Sequence, residues 1–270
     1  MSRIFTADRP GPLTLDLDVS LGEVHVLTEN REFAELTLEP TNPDDATARD
    51  LIDRATESSN TSTFSLLIPR PTGHSSRQIV QAGHIHGVVV SSADGIVVNG
   101  QAIDTAASAG AVTITARLPH SSSVAVRTTG ADLLTAGALA RVAYQSESGS
   151  LVADLVGTVE SQTVSGGLSV ADAGTVRVST TSGSVLLGQA DAITARSVSG
   201  TVDVAGLRES GRIESVSGSV RAHATRDAEL AASTVSGPIH LTAADGVTFR
   251  TRPSTVSGRI HQPTVQRWSA

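Results

Sequence analysis

Seven serines recur at nearly even intervals, each directly before a glycine: Ser148, Ser165, Ser182, Ser199, Ser217, Ser236 and Ser257. A serine becomes a nucleophile when a base lies within hydrogen-bond reach. No G-x-S-x-G turn occurs here, and no histidine or aspartate keeps a fixed offset from the column. The hydroxyls therefore read as hydrogen-bonding groups at chain corners. The acids near these corners are Asp154, Asp172, Asp191, Asp203, Glu214 and Asp227. Two carboxylates converging on one groove would suit glycoside chemistry, but these six share no column, so they read as a solvated outer face. His84 and His86, two residues apart, share one face of a strand near His74 and form a two-ligand metal candidate. His240 and His261 occupy one place in successive repeats, which predicts rings about 5 Å apart. After Asp245 the chain has no acid but carries Arg250, Arg252, Arg259 and Arg267. That basic end is a candidate for docking onto an acidic partner or the acidic end of another copy. No phosphate loop, dinucleotide fingerprint or calcium-binding nonapeptide is present, so no cofactor and no catalytic residue is assigned.

The elements that position these residues follow from the spacing of the glycines. Gly149, Gly166, Gly183, Gly200, Gly218, Gly237 and Gly258 are separated by 17, 17, 17, 18, 19 and 21 residues. Two and four places after each glycine stand mainly aliphatic residues, as in Leu151 and Ala153, Val185 and Leu187, Val202 and Val204. The place between is mixed: Val152, Ser169, Leu186, Asp203, Arg221, His240, His261. Period-two alternation marks a strand with one face inward. A second strand precedes each glycine, with Val176 and Val178, Ile193 and Ala195, Leu230 and Ala232 as its inward residues. One such unit cannot bury its own apolar face, whereas stacked units turn the columns into continuous ladders. The pattern predicts an all-β, single-stranded parallel β-solenoid of about seven 17–21-residue rungs. In this reading the valine of Ser-Val-Ser-Gly is a core residue and the glycine permits the corner. A stack of antiparallel hairpins is the alternative the same alternation allows.

Composition narrows the function classes. The 270-residue chain has six aromatic residues, no cysteine and no lysine. Small β-branched side chains suit regular stacked strands, and disulfides and thiolate metal sites are excluded. A net charge of −7 argues against general nucleic-acid binding. No apolar run has the length of a membrane helix or of a signal peptide, so a cytoplasmic location without membrane insertion is expected, export by another route staying open.

Residues 1–125 lack the serine-glycine metronome but alternate as strands at 12–20, 22–28, 33–40, 111–119 and 122–128. A helix is expected near 45–57, capped by Asp44 or Asp45 and striped by Leu51, Ile52 and Ala55. Two short strands are expected around Asp94-Gly95. The division expected is an irregular β-rich capping region at 1–125 and the solenoid with its own cap at 126–270, in one elongated body.

The stretches LTLDLDVSLGEVHVLT, VSGSV and VSGTVDVAGL resemble an uncharacterised bacterial family of β-strand-repeat proteins labelled "putative adhesin" and common in actinobacteria. The resemblance covers most of the chain and implies surface adhesion; it also suggests a cytoplasmic scaffold or regulator of an envelope-stress system. The residues themselves favour a non-enzymatic structural or interaction protein, binding a protein partner or itself. A carbohydrate-active β-helix enzyme is the third reading.

Overall fold

A computed structural model describes residues 2–60, 62–71, 89–92, 95–98, 101–103 and 110–262. In chain order the elements are β1 (Arg3–Pro10), β2 (Thr14–Glu29), β3 (Phe33–Pro40), α1 (Ala46–Asp53), β4 (Thr56–Ser59), β5 (Thr63–Leu67), β6 (Val89–Ser92), β7 (Gly95–Val98), β8 (Gln101–Ile103), β9 (Val112–Pro119) and β10 (Ser123–Ser146). The repeats follow as β11 (Leu151–Thr163), β12 (Leu168–Thr180), β13 (Val185–Ser197), β14 (Val202–Ser215), β15 (Val220–Ala224), β16 (Ala228–Thr234), β17 (Ile239–Ala243), β18 (Phe249–Thr255) and β19 (Ile260–His261).

The repeats β11 to β14 are each one long strand bent near its middle, and the next two are split there, into β15 and β16 and into β17 and β18. The first part of each repeat stacks on the first part of the next and its second part on the second, all in parallel. Thus Leu151, Leu168, Val185, Val202, Val220 and Ile239 form one inward ladder, and Val159, Val176 and Ile193 form another. We call the ladder after each glycine the first lane and the ladder before it the second. Both turn their aliphatic residues into one shared core. A fully buried aliphatic contributes about 1.5–3 kcal/mol before entropy, and every rung supplies several. The parallel registers settle the choice against stacked antiparallel hairpins.

One expectation about the corner is corrected. The valine before each Ser-Gly pair is not in the core: Val164, Val198, Val216, Val235 and Val256 are exposed. The residue facing in is the hydroxyl one place earlier. Ser146, Thr163, Thr180, Ser197, Ser215 and Thr234 are buried. Several close the turn on the glycine three residues on: Ser146 Oγ accepts from Gly149 N–H at 2.7 Å, Thr180 Oγ1 from Gly183 N–H at 2.9 Å, and Ser215 Oγ from Gly218 N–H at 3.0 Å. Such local bonding to backbone is what serine and threonine offer at turns. The glycine does permit the corner, by close approach and not by a left-handed backbone. None of the corner glycines has positive φ. Glycine is required because a Cβ on Gly166, Gly183, Gly200 or Gly218 would collide with the carbonyl oxygen of the corner glycine one rung earlier. The corners stack backbone on backbone, closer than any side chain permits.

The stack reaches into the first half of the chain. β2 is a complete rung: Thr14–Leu27 pairs in parallel with Ser123–Ala136 of β10. Its bend is Gly22, at φ +128 and packed against the Val112 backbone. On its other side β5 pairs with the first part of β2 and β9 with the second. β10 runs unbroken across residues 125 and 126. Beyond β9 the order turns antiparallel, β9 to β3 to β1, and β4 lies antiparallel on β5. β6, β7 and β8 form a separate three-stranded antiparallel sheet, with strands on both sides of the expected Asp94-Gly95 turn.

The helix is shorter than expected, because Thr56 to Ser59 pair as β4 instead of continuing it. Asp45 caps it, accepting from Thr47 N–H at 2.8 Å, Ala48 N–H at 3.1 Å and Gly110 N–H at 2.7 Å. Burial pushes the Asp45 carboxyl up, but these three backbone donors and Arg49 outweigh it and hold it below the usual aspartate value. At the other end Arg3 Nη1 donates to the carbonyls of Ile52, Asp53 and Ala55. Ala48, Leu51 and Ile52 are buried. At the far pole β18 carries Pro253, which has no N–H to offer an added strand. Among the described residues no helix is long and apolar enough to cross a membrane.

Candidate functional site

The outer faces of the two lanes differ in chemistry. On the second lane the outward residues are polar and cross-linked by charge. Arg141 meets Glu160 at 2.6 Å, Glu214 lies between Arg196 at 3.3 Å and Arg212 at 2.6 Å, and Arg252 meets Glu229 at 3.3 Å. The Arg212 hydrogen bond, with Arg196 beside it, holds Glu214 below the usual glutamate value.

On the first lane one outward column runs His25, Leu134, Val152, Ser169, Leu186, Asp203, Arg221, His240, His261. Its middle is aliphatic except for Ser169, and the aliphatics are half exposed: Leu134 39%, Val152 48% and Leu186 48%. Beside it lies a column of mostly small residues, Ala136, Asp154, Ala171, Gly188 and Ala205, and the face is hollowed into a trough of about 660 Å³. Asp154 and Asp203 lie in its lining. Asp132, two residues before Leu134, is exposed on the same strand, its Oδ1 accepting from Ser150 N–H at 2.7 Å. Among the described residues neither Asp132 nor Asp154 forms an ion pair, and Asp203 meets Arg221 only at 3.8 Å. A second, polar hollow of about 430 Å³ lies by the first corners and includes Asp18, Arg70, Arg127 and Glu147.

The residues singled out from sequence fall into separate places. His240 and His261 stack, with ring centroids 4.7 Å apart and planes at 10°, as their shared column requires. Arg250 and Arg252 project outward from β18, Arg250 registered over Glu229. Arg259 is exposed at the last corner. The three therefore divide between one face and one corner of the last rung. Arg267, His74, His84 and His86 lie outside the described residues. The six acids considered for glycoside chemistry are spread among other tasks. Asp172 and Asp191 grip the half-buried Arg208 at 2.7 and 2.5 Å, stapling β12, β13 and β14 together at the bend. Asp227 Oδ1 accepts from Thr248 N–H at 2.8 Å. Among the described residues no group of three or more His, Cys, Asp or Glu is placed to hold a metal. The serine column bonds to backbone one rung back, for example Ser165 Oγ to Glu147 O at 3.2 Å and Ser148 Oγ to Thr129 O at 3.2 Å.

The trough was missed by sequence reasoning, although its signal was present. Val152 and Leu186 are aliphatic in a column that is otherwise polar or charged, and Leu134 extends them one rung upstream.

The family described as Toastrack DUF4097 matches residues 78–269. Three crystal structures share the fold at 11% identity. A "putative adhesin" from Parabacteroides merdae ATCC 43184 superposes with TM-score 0.55 over 98% of this chain and 96% of its own. One from Parabacteroides distasonis ATCC 8503 gives 0.54 over 97% of each chain. One from Bacteroides fragilis NCTC 9343 gives 0.50 over 97% of this chain and 96% of its own. No curated protein matches the chain.

Proposed function

We propose that this chain, which belongs to the Toastrack DUF4097 family, is a non-enzymatic interaction protein that presents the outer face of its first lane to a protein partner. The observation that carries the reading is the half-exposed pair Val152 and Leu186 in the lining of the trough, with Leu134 one rung beyond Val152 in the same column. Scattered surface aliphatics are ordinary, whereas aliphatics aligned in one column of a rigid ladder beside a hollow, broken here only by Ser169, have the form of a recognition surface. The "putative adhesin" names of the structural neighbours support an interaction role of this kind. The rungs behind the strip are paired on both sides, so it is held flat and needs little ordering on binding.

The test is site-specific photo-crosslinking in the native cell. A photoreactive residue at Leu186 is expected to trap an adduct of defined mass, and one at Arg177 on the second lane is not. Equal labelling from both positions, or none from Leu186, overturns the reading.

A further inference from the structure

We infer that the first-lane trough takes a basic amphipathic helix of its partner, lying along the axis of the stack. The inference rests on the interaction reading above and adds the chemistry of the partner. Three observations fix that chemistry.

The first is hydrogen-bond closure. β11, β12 and β13 are each paired on both edges, so the trough offers no free backbone for an added strand. An occupant must bind through side chains. The second is spacing. Successive rungs lie about 4.8 Å apart, and residues three or four apart on a helix are separated by about 4.5–6 Å along its axis. A helix with aliphatic residues at i, i+3 and i+10 therefore meets Leu134, Val152 and Leu186, with i+7 over Ser169. An extended peptide repeats its side chains on one face every ~6.6 Å and falls out of step. From Leu134 to Asp203 is four rungs, about 19 Å, or about 13 helical residues. The small residues of the floor, Ala171, Gly188 and Ala205, leave room for a cylinder where larger side chains would fill the hollow. The third is charge. The carboxylates around the strip are Asp132, Asp154 and Asp203, of which Asp203 has a basic neighbour, Arg221 at 3.8 Å, and among the described residues no arginine or histidine lines the trough. Lysines or arginines flanking the aliphatic stripe complement this rim, and an acidic helix is repelled by it.

The experiment is fluorescence anisotropy with the intact protein and three labelled peptides of about 14 residues. One places leucine at i, i+3, i+7 and i+10 with lysine on the flanks, the second replaces lysine by glutamate, and the third scrambles the first. The lysine helix is expected to bind saturably and the others not. Leu186→Ser is expected to weaken binding by about tenfold or more, as is the pair Asp154→Asn and Asp203→Asn, each with an unchanged melting curve because these side chains are exposed or half-exposed. Equal binding of the glutamate or scrambled peptide overturns the inference, and so does an affinity that Leu186→Ser leaves unchanged. Vesicles of phosphatidylglycerol binding through the same face also overturn it, in favour of a membrane surface. If no peptide binds while the Leu186 crosslink persists in cells, the helix is wrong and the interaction surface stands. If both are absent, both fall.

Discussion

The repeats from Gly149 to Gly258 and the first seventy residues use the same inward alternation, yet they end in different architectures. In the repeats each strand is followed by a corner that returns the chain one rung further, so every new strand lies parallel on the last. In the first seventy residues only β2 and β5 pair in parallel. β1, β3 and β4 reverse direction, and α1 interrupts the strands between β3 and β4. Alternation decides which side chains face inward; the corner decides whether the structure propagates. The corner here depends on two features, a buried hydroxyl three residues before the glycine and a glycine whose missing Cβ lets the next carbonyl approach.

The sharpest way to break that contrast is at the glycines. Gly183→Val puts a side chain onto the Gly166 carbonyl and is expected to cost more than about 4 kcal/mol or prevent folding. Gly246→Ala, with φ +80 but open space around it, is expected to cost only about 1–2 kcal/mol of left-handed strain. Chemical denaturation of the two variants reads the difference. The next effect belongs to Tyr144, fully buried with its hydroxyl donating to Ala131 O at 2.7 Å. Tyr144→Phe is expected to lose about 1–2 kcal/mol by leaving that carbonyl unpaired. Burial pushes the Tyr144 phenol up to about 12. The stability tied to its neutral form is therefore complete below the ordinary tyrosine value of 10.0 and fades as pH climbs toward about 12. Melting curves across that window should converge for the wild type and Tyr144→Phe.

The capping region gives a smaller effect with the opposite pH sign. Asp45→Ala removes the acceptor of three backbone donors and is expected to cost about 1 kcal/mol. Because the Asp45 carboxyl is held below its ordinary value of 3.8, its contribution is present above that value and is lost as pH falls through the lowered one. Hydrogen exchange should show faster opening confined to α1 and its neighbours. The smallest effect is expected at the exposed corner valines, where Val198→Ser and Val216→Ser should each change stability by no more than about 0.5 kcal/mol.

Much of the ladder was legible from sequence. The glycine period, the inward columns two and four places on, and the stacking of His240 on His261 all follow from repeating one residue type at one spacing. The valine of Ser-Val-Ser-Gly was misread because apolar character was taken as burial. Alternation counted back from the buried hydroxyls would have placed it outside, since Ser146, Thr163, Thr180, Ser197, Ser215 and Thr234 hold their own column. That glycine permits the corner was legible, but the reason was not, because its constraint lies in another rung, about 17 residues away, and not in its own φ. The role of β2 as a rung was hidden because its partners, β5, β9 and β10, are distant in sequence. The trough was hidden because it emerges only when outward residues of separate repeats are set side by side.

The central claim is that the first-lane strip, and not the valine ridge, is the recognition surface. The most direct measurement compares capture of native cell components by three forms of the intact protein: wild type, Val152→Ser with Leu186→Ser, and Val198→Ser with Val216→Ser. The account predicts that a component bound by the wild type is lost by the first pair and kept by the second. Retention by the first pair, or equal loss by both, would contradict it.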